Sequence, residues 1–148
     1  IGDAVMAFWN APERQPDHFA RALYAACTIA QDAPQIRAKI HALDKRLEGI
    51  EIAFGIGIAS GPVTVGNMGS TFRFNYTVLG DVVNTASRLE SMTKEKGVPI
   101  LATLLGQEKH LPKHLSFNDQ VMQLTSMGNV DVRGKQEAVE IFSVHFSK

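Results

Sequence analysis

A segment in the middle of the chain alternates strictly between bulky and small side chains. Positions 53, 55, 57 and 59 hold only alanine or glycine, and the bulky positions between them are Ile52, Phe54, Ile56 and Ile58. Because residues two apart share a face of a strand, the alternation predicts a strand with one bulky face and one nearly bare face. The bare face indicates that another element approaches this strand closely.

The composition is typical of one soluble globular domain over residues 1–148. Of the 148 residues, 45% are apolar and 20% are charged, and 15 basic side chains balance 15 acidic ones. This balance leaves no broad positive surface, which argues against binding to nucleic acid. No run of about 18 apolar residues predicts a membrane span. The single cysteine, Cys27, lies in an alanine-rich stretch, which predicts a buried thiol and a cytoplasmic setting.

Apolar spacing predicts two helical regions. From Asp17 onward apolar residues recur at helical spacing, and Asp17 is a candidate N-cap. Pro34 predicts a kink or a restart, so this region is either one long broken helix or two consecutive helices. The second helix is predicted from Asp81 to Lys96 and ends at Gly97. Beyond Pro34, one apolar stripe is formed by Ile36, Ile40, Leu43 and Leu47.

The segments before the second helix predict short strands and a loop. Residues 4–9 form an apolar run that is predicted to be a strand, with Asp3 in a tight turn before it. Residues 63–65 are predicted to form a hairpin with the alternating strand. An irregular loop is expected from residue 66 to residue 76.

The C-terminal third completes the predicted sheet. Residues 98–101 are expected to be a strand, residues 103–115 a short helix and a loop, and the tail from residue 130 a final hairpin. This order favours an α+β sheet with helices on one face over a doubly wound parallel sheet. No G-x-G-x-x-G follows a strand and opens a helix, which argues against a dinucleotide-binding fold.

Asn84 and Arg88 share one face of the second predicted helix. At about 100° per residue they lie about 40° apart, and the apolar cluster on the opposite side is formed by Val82, Ala86 and Leu89. The pair is therefore predicted to point away from the core. Taken alone, this pattern is also typical of an ordinary solvated helix face.

The sequence around this helix resembles the signature of class III adenylate and guanylate cyclases. Residues 75–91, NYTVLGDVVNTASRLES, match the family pattern at every position. Residues 1–8 resemble the second metal motif, residues 55–61 the central strand and turn, and residues 132–135 the C-terminal phosphate-binding turn. The resemblance implies the ferredoxin-like class III cyclase fold, with helices packed on a mostly antiparallel sheet. In the family a first strand, with a Phe-x-Asp metal motif, and a helix come before this region, so we expect the chain to lack the N-terminal portion of the domain.

The resemblance implies an adenylate cyclase, a lyase that converts ATP to 3′,5′-cyclic AMP and pyrophosphate in signal transduction. Two divalent ions per site, Mg²⁺ or Mn²⁺, assist attack of the 3′-hydroxyl on the α-phosphate. Asp3 matches one of the two metal-binding carboxylates. Asn84 matches the residue that orients the ribose, and Arg88 matches the arginine that stabilises charge on the transferring phosphate.

Three further positions match substrate-binding residues of the family. Thr77 occupies the base-selecting position, where adenylate cyclases carry Asp, Thr or Ser and guanylate cyclases typically carry Cys, so adenine is favoured. The alternative is an ordinary β-branched strand residue. Lys135 matches the lysine that neutralises the terminal phosphates, and Arg133 is a candidate for the same role. The family's second base selector, a lysine, lies outside this sequence, which leaves GTP open.

The resemblance also implies a homodimer with composite active sites and an upstream sensor or regulatory domain in the parent protein. Residues 70–74 hold two aromatic side chains around a cation, which fits either a partner-contacting arm or a loop folded onto its own core. The alternative functions are a guanylate cyclase and a non-catalytic cyclase-like module that dimerises or binds nucleotide. With one of two metal carboxylates, the 148 residues by themselves are expected to be inactive. Membrane anchoring of the parent is left open.

Overall fold

The strand predicted from the alternating pattern forms one edge of the main sheet. The computed structural model describes residues 3–106, 111–132, 136 and 138–148. Within them the elements are α1 (His18–Leu43), a 3₁₀ turn (Lys45–Leu47), β1 (Ile56–Ser60), β2 (Thr64–Ser70), β3 (Arg73–Leu79), α2 (Asp81–Lys96), β4 (Ile100–Leu104), β5 (His114–Phe117), β6 (Gln120–Val130) and β7 (Val139–Phe146).

The five-stranded sheet has the order β1-β4-β7-β6-β5. β1 and β4 are parallel, with Gly57 opposite Leu101, and the other neighbours are antiparallel. β2 and β3 form a separate antiparallel hairpin in which Gly66 lies opposite Thr77. The α+β fold with a mostly antiparallel sheet is therefore confirmed, as is the final hairpin, which is formed by β6 and β7.

The first helix runs without interruption for 26 residues, with Pro34 inside it. Two polar contacts hold its second half: the Arg37 guanidinium donates to the Ile52 carbonyl at 2.5 Å, and His41 Nε2 lies 3.1 Å from the Ile50 carbonyl oxygen. These contacts tie the part of α1 beyond Pro34 to the segment that leads into β1. Asp17 precedes the helix but makes no capping bond, because its carboxylate pairs with Arg21 at 2.7 Å.

The predicted apolar stripe after Pro34 is not a buried stripe. Leu43 is 86% exposed and Ile36 is also exposed, although Ala33 beside them is buried. The buried half of α1 lies before Pro34, where it contacts the sheet through Leu23, Ala26 and Cys27.

The two helices cover opposite faces of the sheet, so the prediction of helices on one face is wrong. Along β4, Ile100 and Ala102 belong to the cluster beneath α1, whereas Leu101 packs with Leu89 of α2 and with Ile141 of β7. Since successive strand residues point to opposite faces, the three consecutive apolar residues of β4 need cover on both sides.

Several other local predictions differ from the structure. Residues 63–65 do not pair with β1, because β1 pairs with the later β4 and β2 pairs with β3. Residues 66–76 form most of the β2–β3 hairpin instead of an irregular loop. Residues 4–9 lie outside both sheets. Of the helix and loop expected over residues 103–115, residues 107–110 lie outside the described residues, while Thr103 and Leu104 complete β4 and His114 begins β5.

The second helix has the predicted bounds. It spans Asp81–Lys96 and ends at Gly97, whose φ of 69° is left-handed and whose N–H bonds back to the Lys94 carbonyl.

In the described part of the chain, no helix combines the length and apolar character needed to cross a bilayer.

Candidate active site

Helix α2 presents Asn84 and Arg88 together on its exposed face. The opposite face is buried through Val82, Thr85 and Leu89. Thr85 satisfies its hydroxyl within the helix by donating to the Asp81 carbonyl at 2.8 Å. The predicted orientation of the pair away from the core is confirmed, and the chemical roles of the two side chains stay predictions.

Helix α2 lies directly on the bare face of β1. A Cβ atom placed on Gly55 or Gly57 would fall within 3.0 Å of α2 atoms. The expectation that another element closely approaches the small residues of this strand is therefore confirmed. The approaching element is the helix that carries Asn84 and Arg88.

Thr77 lies on β3, which leads directly into α2. Thr77 is half-buried, and its cross-strand neighbour is Gly66, where an added Cβ would have no atom within 4 Å. Gly80 connects the two elements with a φ of 148°, a conformation that favours glycine. Thr77, Asn84 and Arg88 therefore belong to one continuous strand–helix unit.

Asp3 is an exposed turn residue at the start of the described chain. The segment that follows it is held to β3 by a ring contact between Phe8 and Tyr76, with centroids 5.8 Å apart. This contact could not be predicted from the sequence, because nothing in local periodicity relates residue 8 to residue 76. The only signal was that both are aromatic residues within family motifs.

Asp3 is the carboxylate that the family motif assigns to a divalent ion. Among residues 3–106, 111–132, 136 and 138–148 there is no group of three or more His, Cys, Asp or Glu side chains that could hold a metal. One carboxylate fits Mg²⁺ when substrate phosphates and water complete the octahedron. Asp3 thus fits a metal ion that is bound together with a nucleotide.

Lys135 and Arg133 lie outside the described residues. Their flanks are described: Val132 is buried, and β7 begins at Val139. The assignment of these two cations to the terminal phosphates therefore stays a prediction from the sequence.

Two clefts in the described part of the chain lie away from the exposed face of α2. A groove of about 390 Å³ opens beside the first residue of α2, and another cleft of about 290 Å³ lies next to Cys27. Neither cleft is lined by Asn84, Arg88 or Thr77.

The fold and this strand–helix unit define an α+β domain in which Asn84 and Arg88 are exposed on one face of α2. The sequence pattern described as "Adenylate and Guanylate cyclase catalytic domain" matches residues 1–145. The chain belongs to this family. The resemblance drawn from the sequence motifs is thereby confirmed.

Named relatives and a solved structure agree with this assignment. The chain is 32% identical over 146 residues to adenylate cyclase 1 of Rhizobium meliloti (strain 1021), and 34% identical over 144 residues to an adenylate cyclase of Anabaena cylindrica. Each match covers 97% of this chain, but only 20% and 27% of the respective relatives. The crystal structure of the guanylyl cyclase Cya2 superimposes with a TM-score of 0.59 at 26% identity, covering 95% of this chain and 64% of that one.

Proposed function

We propose that this domain catalyses the conversion of ATP to 3′,5′-cyclic AMP and pyrophosphate. The observation that carries the proposal is the joint exposure of Asn84 and Arg88 on α2. Both residues lie in the family motif of residues 75–91, which spans the end of β3 and the first part of α2. In the reaction the 3′-oxygen of the ribose forms a bond to the α-phosphorus, the bond from that phosphorus to the bridging oxygen breaks, and pyrophosphate leaves. The 3′-hydroxyl proton passes to solvent or to a phosphate oxygen.

Arg88 is suited to stabilising the negative charge that develops on the transferring phosphate. Its guanidinium is permanently charged and presents a rigid fork of donors, and its place on a packed helix limits reorganisation during the reaction. Asn84, one helical turn earlier, is suited to holding the ribose through its amide. Together the two side chains orient the nucleotide so that the 3′-oxygen faces the phosphorus.

Asp3 provides a carboxylate for the metal ions of the reaction. Divalent ions such as Mg²⁺ or Mn²⁺, two per site by analogy with the family, make the 3′-hydroxyl a better nucleophile and neutralise phosphate charge. The contribution of the chain is to hold the Asp3 turn near β3, through the contact of Phe8 with Tyr76. Lys135, with Arg133 beside it in sequence, is proposed to bind the terminal phosphates.

Thr77 supports adenine as the base. Its hydroxyl can accept a hydrogen bond from the adenine amino group or donate one to a ring nitrogen. The open space over Gly66, its cross-strand neighbour, leaves room for a planar ring on that side of the hairpin. The similarity to a guanylyl cyclase structure keeps GTP as the second candidate substrate.

The active enzyme is proposed to be a homodimer with two composite sites. The supporting observation is that Asn84 and Arg88 lie on an open surface, which needs a second surface to exclude water from the phosphate. The tip of the β2–β3 hairpin is a candidate contact, because Phe72 is 94% exposed and is not folded onto its own core.

The greater length of the curated relatives supports a parent protein with a regulatory domain. The free, buried Cys27 supports a cytoplasmic location for this domain.

An activity measurement on the full-length parent tests the proposal. The purified protein is incubated with Mn²⁺ and either ATP or GTP, and cyclic nucleotide is measured for the wild type, Arg88→Ala and Lys94→Ala. Lys94 is a matched control, because it is an exposed cation on the same helix. We expect cyclic AMP from the wild type and from the control only. No cyclic nucleotide from the wild type, with nucleotide binding retained, would instead identify a non-catalytic module.

A further inference from the structure

Gly57 lies directly against the backbone of α2. A Cβ atom placed on this glycine would overlap the carbonyl oxygen of Ala86 and the amide nitrogen of Glu90. Both atoms belong to the helix backbone, so a side-chain rotation cannot make room for the added methyl group. Any substitution at Gly57 has to move the helix or disrupt it.

The two backbone atoms that face Gly57 are partners in one helical hydrogen bond. In an α-helix the amide of residue 90 donates to the carbonyl of residue 86 and closes the turn between them. Arg88 stands in that turn, and Asn84 stands about one turn earlier. Gly57 therefore contacts the part of α2 that carries the proposed transition-state arginine.

Gly55 lies on the same face as Gly57, but the atom nearest to its added Cβ belongs to a side chain and not to the helix backbone. Its nearest neighbour is the hydroxyl oxygen of Thr93, which is the end of a side chain, followed by the Glu90 carbonyl at 3.0 Å. Thr93 lies more than one turn beyond Arg88. Trimming Thr93 removes the most severe overlap at Gly55 and leaves the tight contact with the Glu90 carbonyl, whereas no trimming of a side chain relieves a substitution at Gly57.

We propose that Gly57 is a positioning residue for the cyclisation reaction. Its missing side chain sets the depth at which α2 lies on the sheet, and this depth sets where Arg88 and Asn84 stand relative to the bound nucleotide. The inference rests on the proposed function, because it acts through Arg88. Gly57 itself does not touch substrate, but it determines the positions of the two residues that are proposed to do so.

The expected effect follows from the geometry of the displaced helix. An alanine at position 57 has to move the 86–90 turn by about 1 Å or more, and a misplacement of about 1 Å lowers turnover by on the order of 100-fold. The loss should fall mainly on kcat, because Arg88 is proposed to act most strongly in the transition state. KM for ATP should change much less.

The test is a double-mutant cycle on the full-length parent. Turnover per folded molecule is measured for Gly57→Ala, Arg88→Ala and the double variant. If Gly57 acts through Arg88 and Asn84, the loss caused by Gly57→Ala is much smaller in the Arg88→Ala background than in the wild type, because only the displacement of Asn84 still counts. If Gly57 has a merely structural role, the two losses multiply, and the proposal is wrong.

A stability control separates misplacement from general weakening. Ala22→Gly lies on α1, on the opposite face of the sheet, and is expected to lower stability by about 1 kcal/mol without contacting α2. Ala22→Gly should retain the wild-type kcat. Combined with Arg88→Ala, it should leave the kcat of Arg88→Ala unchanged. A loss of kcat in this control equal to that in Gly57→Ala would assign the effect to stability and overturn the proposal.

Backbone amide exchange provides a readout that does not depend on activity. In Gly57→Ala the amides of residues 86–90 should exchange faster than in the wild type, whereas those of α1 should be unchanged. Unchanged exchange in the 86–90 turn would show that the helix has not been displaced, which contradicts the proposal.

A second pair of variants decides the question if Gly57→Ala does not fold. Gly55→Ala should lower kcat by a smaller factor, and adding Thr93→Ala should restore part of it, because the overlapping hydroxyl is then removed. Failure of this rescue in folded protein would overturn the proposal. The outcome is distinct from failure of the proposed function, which would show itself as an Arg88→Ala variant with undiminished turnover.

Discussion

The rings of Phe8 and Tyr76 pack against each other, with centroids 5.8 Å apart and planes inclined by 42°. This contact holds the segment that follows Asp3 beside β3, the strand that carries Thr77. The segment that carries the proposed metal carboxylate is thus tied to the strand that carries the proposed base selector. The proposed ribose and phosphate residues lie on the next element, α2.

Loss of the ring contact should weaken the use of metal by the enzyme. In the full-length parent, Phe8→Ala should raise the Mn²⁺ concentration needed for half-maximal turnover, because the Asp3 turn loses its anchor. Val5→Ala is the matched control, since Val5 lies in the same segment and is 96% exposed. An identical metal dependence in Phe8→Ala and Val5→Ala would contradict this interpretation.

Removal of the α2 guanidinium should slow chemistry more than it weakens binding. We expect Arg88→Ala to lower kcat far more than it raises KM, with a loss of transition-state stabilisation of about 2.7–4 kcal/mol by analogy with a deleted oxyanion donor. Steady-state kinetics with ATP measure both constants. Equal effects on binding and on turnover would mean that Arg88 serves ground-state binding alone.

Removal of the Thr77 hydroxyl should reduce discrimination between the two purine nucleotides. Thr77→Ala loses one hydrogen bond to the base, which lowers the preference for ATP by about 0.5–1.5 kcal/mol. The ratio of kcat/KM for ATP to that for GTP measures this change. Thr77→Ser, which retains the hydroxyl, should keep the wild-type ratio. An unaltered ratio in Thr77→Ala would show that Thr77 is an ordinary strand residue with no role in base selection.

Composite sites predict complementation between two inactive variants. Asp3→Ala and Arg88→Ala parents should each lack metal-dependent turnover, because each removes a group from both sites of the homodimer. In a mixed dimer one of the two sites combines the intact Asp3 of one subunit with the intact Arg88 of the other. With random pairing about half the dimers are mixed, so activity should recover to about a quarter of the wild-type value.

The complementation experiment needs proof that subunits exchange. Differently tagged copies of the two variants should be recovered together after mixing. If they are recovered together and activity remains absent, the two residues act within one subunit and the shared-site interpretation is wrong.

The buried thiol should be unreactive in the folded protein. Burial raises the pKa of Cys27 from 9.0 to about 11, so very little thiolate forms at pH 8. Alkylation by iodoacetamide should be slow in the native state and fast after denaturation. Rapid labelling of the native protein at pH 8 would contradict the observed burial.

The raised pKa of Cys27 also predicts that the folded state loses stability as pH rises. Between about pH 9 and pH 11 the unfolded thiol loses its proton while the buried thiol keeps it, so the folded state binds more protons. The free energy of unfolding should therefore decrease as pH rises through this range, and the decrease should be smaller in Cys27→Ala. Denaturant titrations of both proteins at several pH values measure the difference.

The sequence determined those features that depend on neighbours along the chain. The apolar spacing and Gly97 specified α2 to the residue, and the same spacing placed Asn84 and Arg88 on its exposed face. The family motifs identified the candidate site residues, although their chemical roles await experiment. The small residues of β1 predicted a close approach, because the absence of side chains on one face is itself a local property.

Only the tertiary structure decided which elements meet. The alternating pattern could not show that β1 pairs with β4, more than 40 residues later, and not with the adjacent β2. Nor could it show that α2, and not α1, covers Gly57, or that Phe8 contacts Tyr76. Periodicity specifies which face of a segment is apolar, but the partner of that face is chosen by the packing of all segments together. The free energy of that packing depends on contacts between residues that are distant in sequence.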